Sequence, residues 1–391
     1  MNVVIVSYTH LDSNSGLHIN SIANLLVDKG IECIVCVPDS KDTVFNLGKP
    51  AYSLLTFDEA ERKGVRFSYP DRQTVIHAWT PREIVRNFVS RLSGKYGWKF
   101  IVHLEDNEEA IVSQDLGIPA SALSTLPEHF LDQMIAPTRS HPKRFREFIS
   151  QSSGVTALID RLLEFKPASL PGQVFWPGYE LDKKWDLPTN NTYRQKLGIA
   201  DNETVILYPG NVHGSNRDEI FSLYLAVGLL ARKHIRIRLV RTGTDYCELF
   251  DKTLDMLNNT CIQLGVVPRK ELPRIFSLSD ILVQPGGSNA FNDYRFPSKI
   301  PEFFASGRPV LLPATNIGRF LTNNEQCIML YSGNAIEIAE KLELLIQNPD
   351  LQRSVGKSGR LFAEHRLNWN VAVNIIHDFY KQILYTQAGL A

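Results

Sequence analysis

The chain has 391 residues, of which 43% are hydrophobic and 21% charged, and its 42 Lys and Arg residues balance its 42 Asp and Glu residues. This length and composition predict one large or two medium globular domains with full hydrophobic cores. The neutral net charge argues against a dedicated nucleic-acid-binding protein, which normally carries a basic excess. The sequence has no apolar run long enough to span a bilayer, and its N-terminus continues directly into a predicted strand, so we expect a cytoplasmic protein.

The five cysteines do not form a recognisable metal site. Cys33 and Cys36 have the spacing of a redox or zinc pair, but they lie in a predicted strand over residues 31–37. Residues three apart on a strand point to opposite faces, and no second cysteine pair completes a zinc site. We therefore interpret the cysteines as small core residues and expect no metal.

The first half of the chain alternates predicted strands and helices. Strands are predicted over residues 2–7, 31–37, 74–78, 100–104 and 132–138, and helices over residues 17–29 and 156–165. This alternation predicts a doubly wound parallel sheet, in which ligands bind beyond the carboxyl ends of the strands.

Polar residues follow several of these strands. The loop 8–15 ends at Gly16 and lacks the Gly-x-Gly-x-x-Gly dinucleotide fingerprint. Trp79 is either a core residue or a stacking platform for a sugar. Segment 105–109 holds four carboxylates, which form either the acidic start of a helix or a ligand site in which repulsion raises one pKa. Segment 139–146 is basic, and a solvated helix face is its simplest interpretation.

The second half repeats the pattern after a polar linker over residues 182–191. Strands are predicted over residues 204–208, 237–240, 261–264, 281–283 and 310–312, and helices over residues 193–197, 219–231, 271–278, 335–347, 350–364 and 371–384. A glycine-bearing loop follows the first of these strands, between strand and helix, in a geometry that suits phosphate groups. Glycines also follow the second and third strands.

One stretch, Arg295–Val310, has the strongest local pattern in this half. Pro297 and Ser298 suit the start of a helix, because proline needs no amide partner there and a serine hydroxyl can cap. Gly307 then ends the helix.

Lys299 and Glu302 lie three residues apart in this stretch, so they share one face of the predicted helix. A lysine at a helix N-terminus opposes the macrodipole unless an anion such as phosphate binds there. The preceding loop, Gln284–Asn289, contains two glycines that allow its backbone to approach a ligand closely. The alternative is a capped helix with a solvated ion pair.

This stretch resembles the nucleotide-sugar site of retaining glycosyltransferases of the GT-B fold, the family 4-like group. Those enzymes carry Pro-Ser-Lys or a similar sequence, then Glu, then Ala-x-Gly-x-Pro-Val. The residue matching Glu302 binds the nucleotide ribose in that family. A second Glu stands eight residues earlier in the family motif. Here that position is Tyr294, and Asp293 or Asn292 are the candidates to replace it.

The resemblance implies an α/β protein with two doubly wound Rossmann-like domains that face each other across a cleft. Residues 1–187 would form the acceptor domain, completed by a C-terminal helix at 368–391 that crosses back to it. Residues 188–367 would form the nucleotide-sugar-binding domain.

The resemblance also implies roles for individual residues. Arg217 and Lys299 would neutralise the leaving diphosphate, in place of the Arg and Lys pair of the family. Glu105 and Asp106 would occupy the position of a His-Asp pair that contacts the donor sugar. The remaining positions expected to bind the donor are Gly16, His213, Arg241, Gly243, Val266, Gly287, Ser288, Asn289, Ser298 and Glu302.

The expected activity is transfer of a sugar, with retention, from a nucleoside-diphosphate sugar to a hydroxyl acceptor, without a metal or other cofactor and without nucleic acid. The resemblance leaves open the base, the sugar and the oligomeric state. It also leaves open whether the acceptor is a glycan, lipid-linked glycan, protein or metabolite. Segment 139–146 borders the acceptor in the family, where it sometimes contacts a membrane surface. Two alternatives remain, a non-catalytic GT-B scaffold or regulatory subunit, and a GT-B sugar-nucleotide epimerase.

Overall fold

The computed structural model describes residues 1–180, 183–249 and 260–385, apart from the side chain of Phe45. The chain divides into two compact units. The first contains Met1–Pro177, the short segment Tyr294–Phe296 and the C-terminal segment from Trp369. The second contains Gly178–Asp293 and Pro297–Asn368.

The first unit is built on a sheet of seven parallel strands. They are β1 (Asn2–Val6), β2 (Glu32–Val37), β3 (Ser53–Thr56), β4 (Thr74–Trp79), β5 (Lys99–Leu104), β6 (Val155–Ala157) and β7 (Gly172–Val174). Their order in the seven-stranded sheet is β3-β2-β1-β4-β5-β6-β7. The order reverses between β1 and β4, and such a switch point is where ligands bind in open parallel sheets.

Seven helices accompany these strands in the first unit, before the C-terminal segment. They are α1 (Asn14–Asp28), α2 (Phe57–Lys63), α3 (Glu83–Tyr96), α4 (Glu108–Leu116), α5 (Ala120–Leu123), α6 (Glu128–Met134) and α7 (Arg144–Gln151). Ser13 caps α1 by accepting a hydrogen bond from the Gly16 amide at 3.0 Å. A Cβ atom at Gly16 would lie 2.4 Å from the backbone of Leu11, so only glycine fits at this turn.

Two of the secondary-structure predictions for this unit are wrong. Residues 132–138, expected to form a strand, instead contain the end of α6 and a turn. The apolar run there is short, and Pro127 followed by Glu128 starts a helix just before it. Residues 156–165, expected to form a helix, contain the end of β6 and a 3₁₀ helix at Asp160–Phe165. The β-branched start of this segment pairs with β5 instead.

The described residues of the second unit contain a sheet of six parallel strands. They are β8 (Thr204–Pro209), β9 (Ile237–Thr242), β10 (Cys261–Gln263), β11 (Ile281–Val283), β12 (Val310–Pro313) and β13 (Ile328–Leu330). Their order in the six-stranded sheet is β10-β9-β8-β11-β12-β13, so the switch point lies between β8 and β11. The two parallel sheets confirm the prediction of two Rossmann-like domains.

The described helices of this unit are α8 (Asn191–Lys196), α9 (Arg217–Arg232), α10 (Leu272–Phe276), α11 (Ile300–Ala305), α12 (Ala335–Gln347) and α13 (Pro349–Arg366). Glycines let α13 pack closely behind α11. A Cβ atom at Gly356 would lie 2.2 Å from the carbonyl oxygen of Gly307, and one at Gly359 would lie 2.6 Å from the ring of Phe304. This packing fixes the short helix that carries Glu302.

The C-terminal helix α14 (Trp369–Tyr385) packs in the first unit against α1, β4 and β7, as expected from the sequence. A buried polar network anchors it to the sheet. The Nδ1 atom of His77 lies 2.7 Å from the Tyr380 hydroxyl, and its Nε2 atom lies 2.8 Å from the Thr156 hydroxyl. Burial lowers the pKa of His103, which shares the Thr156 hydroxyl, to about 3. None of the helices in the described residues combines the length and apolarity needed to cross a bilayer.

Candidate functional site

Side chains at or after the ends of β1, β4 and β5 meet at the switch point of the first sheet. Glu105, directly after β5, accepts hydrogen bonds from Trp79 Nε1 at 2.9 Å and from the Ser15 hydroxyl. The Nδ1 atom of His18 lies 3.4 Å from Glu105 Oε1. Glu105 therefore joins the ends of β4 and β5 to the start of α1.

Glu105 is ionised in this environment. Burial alone would raise its pKa, but the contacts with His18, His103 and Ser15 outweigh burial and lower the pKa to about 2. A carboxyl group with this pKa holds no proton to donate at neutral pH. Each of its oxygens also accepts a hydrogen bond from a buried donor, so Glu105 connects β4, β5 and α1 within the site.

Asp106, the next residue, differs from Glu105 in both its hydrogen bonds and its pKa. It is half-buried, and in the described part of the chain no hydrogen bond reaches its carboxylate. Burial and the nearby carboxylates of Glu105 and Glu108 raise the pKa of Asp106 to about 6. Of the two predicted carboxylates, Asp106 is thus the one with hydrogen-bonding capacity left for a substrate hydroxyl.

Arg82, which follows β4, is held in a buried ion pair beside Asp106. Its Nε atom lies 3.3 Å from the carboxylate of Glu108, and its guanidinium covers the Tyr8 ring at 3.9 Å from the centroid. Ser140 donates a further hydrogen bond to Glu108 at 2.8 Å. Both oxygens of Glu108 therefore have buried donors, and this ion pair supports the edge of the site.

Trp79 is completely buried and its ring lies 4.1 Å from that of His103, which confirms the interpretation as a core residue. The next residue, Thr80, has a φ of 76°, a left-handed conformation that is rare for a β-branched side chain. Its amide donates to the carbonyl of His103 at 3.1 Å. Such strained residues concentrate at functional sites, where the surrounding fold holds them in place.

The three arginines of the basic segment 139–146 are compensated by carboxylates, whereas Lys143 is exposed. Each guanidinium group faces a carboxylate: Arg139 pairs with Asp115, Arg144 with Asp132 and Arg146 with Glu109. Because neighbouring carboxylates offset these charges, the structure favours a solvated helix face over a strongly basic membrane-binding surface.

In the second unit, Lys299 lies immediately before α11 and reaches the loop that follows β8. Its ammonium nitrogen lies 4.6 Å from the centroid of the Tyr208 ring. A Cβ atom at Gly210 would lie 2.5 Å from this nitrogen. The ammonium group therefore occupies the space that any side chain at position 210 would need, beside the glycine-bearing loop.

The start of α11 differs from the expectation. The helix has six residues, begins at Ile300, and has Lys299 as its N-cap without a capping side chain. The prediction that the Ser298 hydroxyl caps it is wrong, because the helix begins two residues after Ser298. So short a helix has a weak dipole, and the charge of the Lys299 ammonium group is the main local attraction for an anion.

Glu302 is the buried carboxylate of α11, with 5% of its surface exposed. Its Oε1 atom accepts a hydrogen bond from Arg269 Nη2 at 2.8 Å. Burial raises the pKa of Glu302, and the charge of Arg269 opposes this increase. Arg269 was not predicted as a site residue, because its only signal in the sequence is its position after the glycine loop that follows β10.

The loop between β11 and α11 is held by its own polar side chains. Asn289 Oδ1 accepts from the amides of Phe291 at 2.9 Å and Asn292 at 2.7 Å. The Ser288 hydroxyl donates to Asp293 at 2.9 Å, and the Thr315 hydroxyl donates to the same carboxylate. Ser288, Asn289 and Asp293 therefore maintain the loop conformation.

Glycines allow this loop to pack closely against its neighbours. A Cβ atom at Gly287 would lie 2.6 Å from the carbonyl oxygen of Ser332, so a side chain there would displace one of the two loops. Asn292 is buried, and its amide donates to the carbonyl of Gly287 at 2.8 Å and to Glu219. Backbone atoms are thus the part of residues 286–289 that can approach a ligand.

Tyr294, at the position of the second family glutamate, belongs to the first unit. Its hydroxyl donates to Glu164 Oε2 at 2.8 Å, and its ring centroid lies 6.0 Å from that of Phe165. An aromatic ring with an engaged hydroxyl therefore replaces a carboxylate at this position.

Arg217 and His213 lie in or after the loop that follows β8. Arg217 begins α9, and its Nε donates to the carbonyl of Glu248 at 2.6 Å, although the side chain remains exposed. The His213 ring stacks on the exposed ring of Tyr246, with centroids 4.7 Å apart and an interplanar angle of 8°. No pattern in the sequence predicted that these two rings stack.

Arg241, Gly243 and Val266 occupy the ends of β9 and β10. Arg241 is fully buried and engages Asp245 and the Tyr224 hydroxyl, so its side chain stabilises the sheet and does not reach the surface. Gly243 has a φ of 101°, and its amide donates to the carbonyl of Gly265 at 2.7 Å. Val266 is exposed beside this turn.

The described residues contain no group of three or more His, Cys, Asp or Glu side chains placed to hold a metal ion. All five cysteines are free. The polar groups beyond the strand ends of the first unit are mainly carboxylates. Those of the second unit are a lysine, an arginine and a buried glutamate.

Comparison with known proteins matches residues 189–362 to the family of glycosyl transferases group 1. A comparison with curated protein sequences finds no match. Among solved structures, HepE from Anabaena in complex with UDP and glucose has a TM-score of 0.70 and 14% identity, covering 98% of this chain and 100% of that one.

Two further solved structures are similar. Sucrose-phosphate synthase from Thermosynechococcus elongatus has a TM-score of 0.69 and 13% identity, covering 98% of this chain and 99% of that one. A glycosyltransferase from Rickettsia africae has a TM-score of 0.67 and 15% identity, covering 99% of each chain. These similarities confirm the GT-B fold.

Proposed function

We propose that the chain, which matches the glycosyl transferases group 1 over residues 189–362, is a glycosyltransferase that transfers a sugar from a UDP-sugar to a hydroxyl acceptor with retention of configuration. The observation that carries this proposal is the pairing, at the start of α11, of an ammonium group beside a glycine loop with a buried carboxylate three residues later. The solved complexes of HepE with UDP and with UDP-glucose support UDP as the nucleotide.

The second unit binds the donor in this proposal. The Glu302 carboxylate accepts hydrogen bonds from the ribose hydroxyls, and the Lys299 ammonium group stabilises the negative charge that grows on the diphosphate as the glycosidic bond breaks. Arg217, which remains exposed, supplies further positive charge. The exposed turn at Val266 lies against the base.

The first unit binds the acceptor, and Asp106 is its substrate-facing carboxylate. As the family resemblance implies, the acceptor oxygen attacks the anomeric carbon from the face that the diphosphate leaves. The bond from that carbon to the diphosphate breaks, and a departing phosphate oxygen takes the acceptor proton. Catalysis then rests on positioning and on charge stabilisation, so we propose that no metal or other cofactor is required.

A cytoplasmic location belongs to the same proposal. The five cysteines are free, as is usual in a reducing compartment. Because carboxylates compensate the three arginines of the basic segment 139–146, we propose an acceptor that reaches the protein without strong electrostatic binding to a membrane surface.

The stereochemistry of donor hydrolysis tests retention without knowledge of the acceptor. With a UDP-sugar alone, water takes the place of the acceptor, and we expect slow release of a free sugar. Proton NMR at early times, before mutarotation, is expected to show the anomer that was present in the donor.

The first-formed anomer with inverted configuration would contradict the retaining mechanism, and a sugar with altered ring stereochemistry would identify an epimerase instead. Lys299→Ala serves as the control for contaminating hydrolases, because it should release sugar much more slowly.

Tyr294 favours a second candidate, a scaffold that binds nucleotide without catalysis. The tyrosine replaces a family carboxylate, and its hydroxyl is engaged by Glu164. In that case UDP-sugars would raise the melting temperature, but neither hydrolysis nor transfer would exceed the rate of Lys299→Ala.

A further inference from the structure

A single guanidinium group links two carboxylates in the second unit. Arg269, in the segment after β10, places its Nη2 atom 2.8 Å from Glu302 Oε1 and its Nε atom 3.0 Å from Glu180 Oε1. Two nitrogens of one planar group thus contact two different acids. A lysine has only one nitrogen and could not reproduce both contacts with the same geometry.

The burial of Glu302 makes this contact energetically important. A buried carboxylate without a cationic or hydrogen-bonding partner is strongly unfavourable and tends to take up a proton. The charged groups around Glu302 are Arg269, which favours its ionised form, and Glu180, which disfavours it. Lys183 in turn pairs with Glu180 and offsets its charge.

Two hydrogen bonds restrict the orientation of the Glu302 carboxylate. Arg269 donates to Oε1, the backbone amide of Glu302 also donates to the carboxylate, and no other described side chain does so. A carboxylate accepts about four hydrogen bonds, so it retains capacity for ligand hydroxyls. A charge-assisted, directional contact of this kind suits a group that must be held in place before a ligand binds.

We propose that Arg269 is a positioning residue for donor binding, which fixes the Glu302 carboxylate so that its remaining capacity is presented to the ribose hydroxyls. This inference rests on the proposed role of Glu302. It adds a residue outside the lysine and glutamate pair, and the charge of this residue favours the ionised form of a carboxylate with 5% exposure.

The test is the pH dependence of UDP binding by the full chain, measured by calorimetry between about pH 5.5 and 8.5. At pH 7 we expect Arg269→Gln to bind UDP about 10- to 100-fold more weakly, as for loss of a hydrogen bond to a charged group. Without the cation, the pKa of Glu302 rises further, so more of the carboxyl group is protonated near pH 6. The defect should therefore deepen as the pH falls and shrink as it rises.

Two further variants separate positioning from general damage. Arg269→Lys retains the charge but not the two-nitrogen geometry, so it should restore the wild-type pH profile with incomplete affinity. Arg353→Gln, at an exposed pair with Asp350 on α13, is the matched control and should bind UDP as the wild type does.

If wild type binds UDP and Arg269→Gln binds it with unchanged affinity, or with a loss that is constant over pH, the inference is overturned while the proposed function stands. If wild type itself binds no UDP, the proposed function fails, and the role of Arg269 fails with it. A cooperative thermal transition well above the temperature of the titration, measured at pH 7.5, shows that Arg269→Gln is folded.

Discussion

Replacing Glu105 with alanine is expected to lower the free energy of unfolding by about 3 to 5 kcal/mol. The carboxylate accepts hydrogen bonds from Trp79 and Ser15, and it lies 3.4 Å from His18. Removing it takes the acceptor from the buried Trp79 Nε1, one of the two contacts of the Ser15 hydroxyl and the charge beside His18. Loss of a buried hydrogen-bond partner costs about 1 to 3 kcal/mol. Chemical denaturation followed by circular dichroism measures the change.

Asp106→Asn is the matched control, because it alters the adjacent carboxylate. The ionised Asp106 is repelled by Glu105 and Glu108, which together with burial raise its pKa to about 6. The neutral amide removes this repulsion, so its free energy of unfolding at pH 7 should equal or exceed that of wild type, while transfer activity falls. Equal losses of stability in both variants would contradict the division of roles between the two residues.

Replacing Lys299 with alanine is expected to reduce kcat by about 100- to 1000-fold, as for removal of one group that stabilises charge in the transition state. The ammonium group lies beside the glycine loop after β8, where a leaving diphosphate would gain negative charge. Release of UDP from a UDP-sugar, followed by a coupled assay, measures the rate. The melting temperature should change little, because Lys299 is the N-cap residue of a short helix and its side chain makes no capping hydrogen bond.

Gly210→Ala provides an independent test of the same position. Its Cβ atom would lie 2.5 Å from the lysine nitrogen, so the ammonium group must move and the rate should fall in the same direction. Lys233→Ala, at an exposed ion pair with Glu343, controls for the loss of one positive charge. A rate for Lys299→Ala within a few-fold of wild type would exclude this lysine from charge stabilisation.

The fold was predictable because its central strands are continuous apolar runs followed by helices with clear boundaries. The three-residue strands β7 and β13 escaped prediction, since so few residues carry little periodicity, although the equally short β10 and β11 were predicted. The apolar run before Pro137 was predicted as a strand, but local helix-start residues and the packing of Leu131 determine its structure.

The candidate site was predictable where one contiguous motif carries it, as for Lys299 and Glu302. Roles that depend on contacts between distant segments were not predictable. Nothing local distinguishes Glu105 from Asp106, yet the fold surrounds only the first with donors. Arg241 was expected to bind the donor, but its partner Tyr224 comes from a different element and holds it in the interior.

Calorimetric titration of UDP into wild type and Glu302→Ala tests the central claim most directly. We predict that wild type binds UDP and that Glu302→Ala, with an unchanged melting temperature, binds it at least about 10-fold more weakly, as expected when a charged hydrogen-bond partner is lost. Equal affinities in the two proteins would contradict the assignment of Glu302 to the ribose. An absence of binding by wild type to UDP, GDP, ADP and dTDP alike would contradict the nucleotide-sugar function itself.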